Sequence, residues 1–435
     1  MTADRVLVRR GFLRWAAPVL VLTLIWAAWN AWDFIEGRRL KNAVDAIRRS
    51  GGPTSVADLY PQVLLGQQAA DDAAPYYAAA AALSGAGVST GDASSISRVI
   101  VAVTKGEAPH ADDLARIPAL IEQRADALRM LDAATARTFK GFPSGTSYGY
   151  RRAEMLELLR LAGARTIAMA ADGDSSRAAV SLAAEIRLVL GPNPPVRPWV
   201  APTFVPTVAN VVAQLRWIID HGTPDAASLA ALAEAFATAD DDDALARQFE
   251  TNRAFELESF AQRYRPVVNV ARPFPAGLLV TAMWATASRP IATQALLHRL
   301  AGYDALVAAS RLPWPVRLDR IAALNGPQPL GDIPSSRTTA AAAQVTALVR
   351  AARIIVAVER FRAANATTLL TSIDALVPTY LPSAPIDPYS GEPMRYRAQP
   401  SGYVIYSVGP DRKDDGGDTK TDVSALIAPK TEPRR

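Results

Sequence analysis

One stretch limits this chain before any other feature is weighed. Residues Phe12 to Phe34 read FLRWAAPVLVLTLIWAAWNAWDF, an apolar run with a tryptophan near one end and three at the other. As a helix, the interval from Trp15 to Trp32 covers roughly 26 Å at about 1.5 Å per residue, and its flanks carry it toward the thickness of a bilayer's hydrocarbon layer. Trp15 at one end and Trp26, Trp29 and Trp32 at the other sit where aromatic belts meet the two interfaces. Arg14 can reach outward to the headgroups, and Pro18 lies in the first turns, where a missing backbone donor costs least. A cleaved signal peptide would need small residues at the cut, and the bulky Trp29 after Ala28 argues against one. The expectation is an uncleaved anchor, with residues 12–34 in contact with a lipid bilayer.

Orientation is less sharply written. Arg5, Arg9, Arg10 and Arg14 precede the stretch, while Arg38, Arg39, Lys41, Arg48 and Arg49 follow it, so the positive-inside rule is almost balanced. A short tail before a long body favours the tail inside and the body on the extracytoplasmic side. Six lysines leave 41 arginines among the 47 basic residues, the signature of a GC-rich bacterial genome. The expected location is therefore a bacterial inner membrane, crossed once, with a periplasmic or otherwise extracytoplasmic body.

Composition then removes several chemistries. The chain has no cysteine, which excludes thiol nucleophiles, thiolate metal sites and disulfides. The three histidines, His110, His221 and His298, stand far apart and form no HExxH pair. The net charge of +5 is spread along the chain, without the basic, aromatic-interleaved patch that nucleic acids require, so no nucleic-acid partner is expected.

The middle of the chain reads as helices. Arg151–Ala171 and Ser176–Leu190 each carry apolar residues at helical spacing around a turn at Gly173-Asp174, which predicts an αα-hairpin. No second copy recurs at a fixed period, so a repeat array is not expected. The apolar run Ala276–Ala287 is too short to cross a bilayer and reads as a core helix. Loops are expected at the Pro/Gly-rich stretches 141–149, 191–206 and 325–336.

Three patterns here resemble sites. Gly145-Thr146-Ser147-Tyr148-Gly149 fits the G-x-S-x-G of serine hydrolases, but that elbow needs a preceding strand, which Gly141 and Pro143 spoil. Gly85-Ala86-Gly87 with Gly91 has the wrong spacing for a dinucleotide loop. The run Asp240–Asp243 reads as the solvated, dipole-favoured start of a helix. No catalytic residue is assigned.

From residue 337 the texture changes. A long helix over Thr338–Ala364 precedes a helical turn at Ser372–Leu376, turn signals at Asp387-Pro388 and Ser390-Gly391, and strands at Met394–Arg397 and Tyr403–Ser407. The fold class is thus mainly α: an N-terminal transmembrane helix, a large α-helical body, and a small C-terminal α+β module of a long helix and a short antiparallel sheet. The corresponding segments are 1–35 (cytoplasmic tail and anchor), 36–336 (helical body), 337–428 (α+β module) and 429–435 (disordered tail).

The stretch Asp387–Asp418, DPYSGEPMRYRAQPSGYVIYSVGPDRKDDGGD, resembles the C-terminal half of the major pseudopilin of type II secretion systems. The matching pieces are the Asp387-Pro388 turn, Pro393 with Arg395-Tyr396-Arg397, Ile405-Tyr406-Ser407, and the acidic glycine-rich loop Gly409–Asp418. With the helix and the IDALVPTYLP stretch before it, the module also resembles the tails of large membrane-anchored bacterial proteins of uncharacterised role. In pseudopilins the loop binds calcium, so the resemblance implies calcium ligands at Val408 (through its carbonyl), Asp411 and Asp418, with Asp414 and Asp415 as further carboxylates. It departs at the N-terminus. Gly11-Phe12 is present, but the fifth residue after the pseudopilin cut would be Ala16 where that family has a glutamate.

Three functions follow as expectations. The first is a non-enzymatic, membrane-anchored envelope protein that serves a protein partner as interaction or scaffold factor. The second is a component of a type II secretion or pilus-like assembly. The third is an envelope hydrolase using Ser147 or a carboxylate pair that nothing in the sequence singles out.

Overall fold

The computed structural model describes residues 3–59, 72–84, 90–137, 148–190, 204–264, 276–324, 333, 335–365, 370–399, 402–418 and 420–427. The chain is mainly α, with an apolar helix at its N-terminus and a small antiparallel sheet near its C-terminus. Its contacts divide it into two compact units. One holds residues 1–59, 249–307 and 329–333, the other 60–248, 308–328 and 334–435. Each unit therefore draws on distant stretches of sequence.

The first unit is built on α1 (Ala3–Arg49), a single helix of 47 residues that runs through Pro18. Its apolar stretch is bare: Val19 to Ile25 and Trp26 project from the helix uncovered, Leu22 66% and Trp26 68% exposed. Beyond Trp32 the helix becomes polar and begins to pack. Buried Glu36 accepts from the Trp32 indole at 3.3 Å and from Arg39 at 2.9 Å. Leu40, Ala43, Val44 and Ile47 then meet Leu257 and Phe260 of α11 (Ala244–Arg263) and Leu296 and Leu300 of α12 (Ala276–Ser310). The short α2 (Val56–Leu59) follows α1, with Asp58 Oδ2 capping the N–H groups of Thr54 and Ser55.

The second unit stacks helices α3 (Ala74–Ser84), α4 (Thr90–Lys105), α5 (Ala111–Gln123), α6 (Ala125–Thr135), α7 (Tyr148–Ala171), α8 (Ser175–Leu190), α9 (Val205–His221) and α10 (Ala226–Ala239). The expected hairpin is α7 and α8, which pack together across a turn where Gly173 takes φ +85°. Asp225 caps α10, its Oδ1 accepting from Ser228 N–H at 2.7 Å, which holds that carboxyl below its ordinary range. α13 (Val316–Leu324) and α14 (Ser335–Ala364) complete the helices.

The apolar residues of α14 point on all sides, as in a helix buried all round. It packs against α9, α10 and the sheet, and 83% of its most apolar window is covered, whereas none of the window of α1 is. The sheet has three antiparallel strands in the order β1 (Arg395–Gln399), β2 (Gly402–Ser407), β3 (Val423–Ile427). Tyr396 pairs with Ile405, and Ile405 with Ala425. The first two strands fall where the sequence puts them; β3 was not expected. The turn at Ser372–Leu376 is a 3-10 helix over Ile373–Leu376, capped by the Ser372 hydroxyl.

Residues 145–147 of the G-x-S-x-G pattern, with Ser147 itself, lie outside the described residues, as do Gly85-Ala86-Gly87 and the tail 429–435. Tyr148 and Gly149 open α7.

Candidate functional site

The loop from Val408 to Asp422 leaves β2 and returns as β3. Its footing is Asp387, a side chain with no exposure. The turn at Asp387-Pro388 lays this carboxylate against the end of β2. There Oδ1 accepts from the Tyr389 N–H at 2.9 Å and the Ser407 hydroxyl at 2.8 Å, and Oδ2 accepts from the Val408 N–H at 2.9 Å. The turn and the strand end, two separate pieces of the sequence pattern, are thus one hydrogen-bonded unit. Directly afterwards Gly409 takes φ +71°, and a Cβ there would stand 2.2 Å from the Thr421 carbonyl oxygen. Only glycine lets the two strands of the loop come this close.

The five residues singled out for calcium are distributed as follows. Asp414 gives both oxygens to the protein: Oδ2 accepts from Arg395 Nε at 2.8 Å, and Oδ1 from the Tyr406 hydroxyl and the Gly416 N–H, each at 3.0 Å. Burial pushes its pKa up, but these three donors outweigh it and hold the carboxyl below its ordinary range. The same contact, added to burial, raises the Tyr406 phenol. Asp411 Oδ1 accepts from the Lys413 N–H at 3.1 Å and Asp418 Oδ1 from the Lys420 N–H at 3.0 Å, each within its own turn. Asp415 is exposed, and Val408 is buried. Calcium asks for six to eight oxygens around one point. Among the described residues no three His, Asp or Glu side chains are grouped to hold a metal ion. The loop has bonds of its own, including Asp422 Oδ2 with the Gly417 N–H at 2.6 Å and Arg412 with Asp319 of α13 at 2.5 Å.

Two further polar centres escaped the sequence reading. The first is at Asp240–Asp243, where the expectation of a solvated helix start holds for Asp242 and Asp243, which are exposed, and is corrected for Asp240. Asp240 is nearly buried, pairing with Arg353 and, at 3.0 Å, with Arg350 Nε. Asp242 accepts from Arg350 Nη2 at 2.9 Å and from the Trp314 indole at 3.1 Å. Arg350 also donates to the Ile386 carbonyl at 2.7 Å, so this one guanidinium ties α14 to the α10–α11 corner and to the turn before Asp387. Asp240 is drawn inward because Arg350 and Arg353, 110 and 113 residues away, meet it, while Asp242 and Asp243 stay exposed.

The second centre is Glu185 on α8. Gln214 of α9 donates to its Oε1 at 3.1 Å, while Glu185 Oε2 and Gln214 Oε1 find no partner. Burial lifts this carboxyl to about 7, against the pull of Gln214 and Arg165. Gly163 of α7 makes room, since a Cβ there would lie 3.0 Å from Gln214 Nε2. Asp220, also buried in part and repelled by Glu359, is raised to about 6. Neither has a nucleophile beside it among the described contacts.

Taken together, fold and site define a class: a mainly α protein with a bare apolar N-terminal helix and a C-terminal helix-on-sheet module. Beyond that class, no family model, curated protein or solved structure matches the chain.

Proposed function

We propose that this chain is a non-enzymatic protein anchored in a bacterial inner membrane through residues 12–34, its body on the extracytoplasmic side, where the C-terminal module meets a protein partner. The observation that carries the reading is the bare stretch of α1. A stretch of mostly valine, leucine, isoleucine and tryptophan side chains, with no described part of the protein laid over it, is costly in water and stable in lipid. The direct test is extraction. Full-length chain is expected to stay in the membrane pellet after an alkaline carbonate wash. The double substitution Leu22→Arg, Leu24→Arg should release it, because a charge at mid-helix costs about 2.5–3.5 kcal/mol per residue on insertion scales. Recovery of the unsubstituted chain in the wash sinks the proposal.

A second reading, membership of a type II secretion or pilus-like assembly, is favoured by the helix laid on an antiparallel sheet with Asp387 joining turn to strand. Prepilin processing would leave Phe12 as the first residue of the membrane-extracted protein, and its absence would leave Met1. Calcium enters through the same resemblance. Calorimetry of the full chain with calcium, against Asp411→Ala, separates the two states of the loop: heat lost in the variant favours a calcium-loaded loop, and no heat in either favours the self-supported one.

A further inference from the structure

Within the second unit, helices α6, α7, α8 and α10 leave between them a cleft of about 640 Å³, a volume in the range of binding sites. α8 lies along it. Arg177, Val180, Ser181, Ala184 and Arg187 recur at the three-to-four spacing that puts side chains on one helix face, and all five line the cleft. The side chains between the two arginines are small, which leaves the space open. At its middle Val180 is an apolar side chain 54% exposed to solvent.

The charges around this cleft are unequally committed. Arg165 of α7, its side chain only 9% exposed, gives Nη1 and Nη2 to the two oxygens of Asp132, each at 2.9 Å, and Nε to Ser181 Oγ at 3.2 Å. Asp132 is thereby neutralised by a two-pronged pair. Asp225, at the other acidic position of the lining, is the cap of α10, where the helix start favours a negative charge. Arg177 and Arg187 are held more loosely. Their acids, Asp174 at 3.4 Å and Glu234 at 3.8 Å, are solvated, and exposed pairs of this kind contribute little. Both guanidinium groups can therefore exchange these acids for a ligand's carboxylates.

We propose that this cleft binds an extended acidic peptide, with carboxylates at Arg177 and Arg187 and an apolar side chain over Val180 between them. The two arginines stand ten residues apart on α8, or about 15 Å. A single small anion meets one of them. An extended chain, at roughly 3.3 Å per residue, meets both within about five residues. Val180, with Ala184 one turn further, supplies the apolar step between the two charges. The site is formed by residues between 132 and 228, so it stands apart from the anchor and from the C-terminal module, and either could fail without it.

The test uses the full chain in detergent micelles. Fluorescein-labelled, end-capped peptides Glu-x-Leu-x-Glu, with x any uncharged residue, and the matching Gln-x-Leu-x-Gln set are titrated by fluorescence anisotropy. Saturable binding is expected in the acidic set, and binding at least tenfold weaker in the neutral one. Arg177→Gln and Arg187→Gln should each weaken the best acidic peptide about tenfold, the effect of losing one charge-assisted hydrogen bond. Val180→Asp should weaken it as much or more. Arg160→Gln makes the same change of charge on α7 outside the cleft and should leave binding unaltered. All four side chains are at least 40% exposed, so the variants keep the fold. No saturable binding, or an equal loss in Arg160→Gln, overturns the proposal. So does displacement of the bound peptide by glutarate at equal concentration, which would make the cleft a site for a small dicarboxylate.

Discussion

Glu185 carries the clearest consequence at the scale of one residue. Its carboxyl titrates near 4.5 in an open chain and at about 7 in the fold, because burial penalises its charged form. The folded state therefore holds a proton that the unfolded state has lost, and stability falls as pH rises from about 4.5 to about 7, then levels off. At about 1.4 kcal/mol per pKa unit the loss amounts to about 3 kcal/mol. Glu185→Gln should remove that slope and be more stable than the parent by about 2–3 kcal/mol at pH 8. Its amide can also donate to Gln214 Oε1, which lacks a partner. Urea unfolding in detergent at pH 5 and pH 8 reads the difference, and equal pH slopes in the two proteins would refute it. At Asp387 a substitution is expected to cost stability. Its buried carboxylate accepts three hydrogen bonds, so Asp387→Ala strands the Ser407 hydroxyl and two backbone donors. A loss of about 2–4 kcal/mol in the same unfolding experiment is expected.

Among elements, the acidic loop depends on the closeness of its two ends. Gly409→Ala must accept both a left-handed backbone and the Thr421 carbonyl at 2.2 Å from its Cβ. Gly173→Ala takes a similar backbone, φ +85°, with nothing within 4 Å. The first should cost on the order of 3 kcal/mol and the second about 1 kcal/mol. Hydrogen exchange should also show the β3 amides opening early in Gly409→Ala alone. Equal losses would mean that space at 409 is immaterial. This contrast also marks what could be read beforehand. The helices α7, α8 and α14 and the strands β1 and β2 repeat their apolar residues over enough length to declare a period. β3 is five residues behind a glycine-rich loop, and its identity comes from pairing with β2, which no local pattern encodes. The apolar run at 276–287 was legible as a helix, but its continuation through Pro290 to Ser310 was not read. Asp240 looked solvated because its guanidinium partners lie more than 100 residues away. Asp387 was seen as a turn residue, since its bond to Ser407 exists only once β2 is in place.

For the whole molecule, two helices of similar apolar composition meet opposite fates. The apolar window of α14 is 83% covered, by α9, α10 and the sheet; that of α1 is not covered at all. Composition states that each must leave water, and only the surrounding chain decides whether it does so into protein or into lipid. The same logic gives the molecule a direction. The arginines flanking α1 are nearly balanced, so charge alone sets little preference, and the extracytoplasmic body is the proposed orientation. The missing cysteine makes this testable in cells. In spheroplasts, a membrane-impermeant maleimide should label Val180→Cys, whose side chain is exposed, without lysis. Thr2→Cys, on the tail before α1, should react only after lysis. The reverse pattern would put the body in the cytoplasm and exclude an extracytoplasmic partner, while the contacts that hold each unit together would be unaffected.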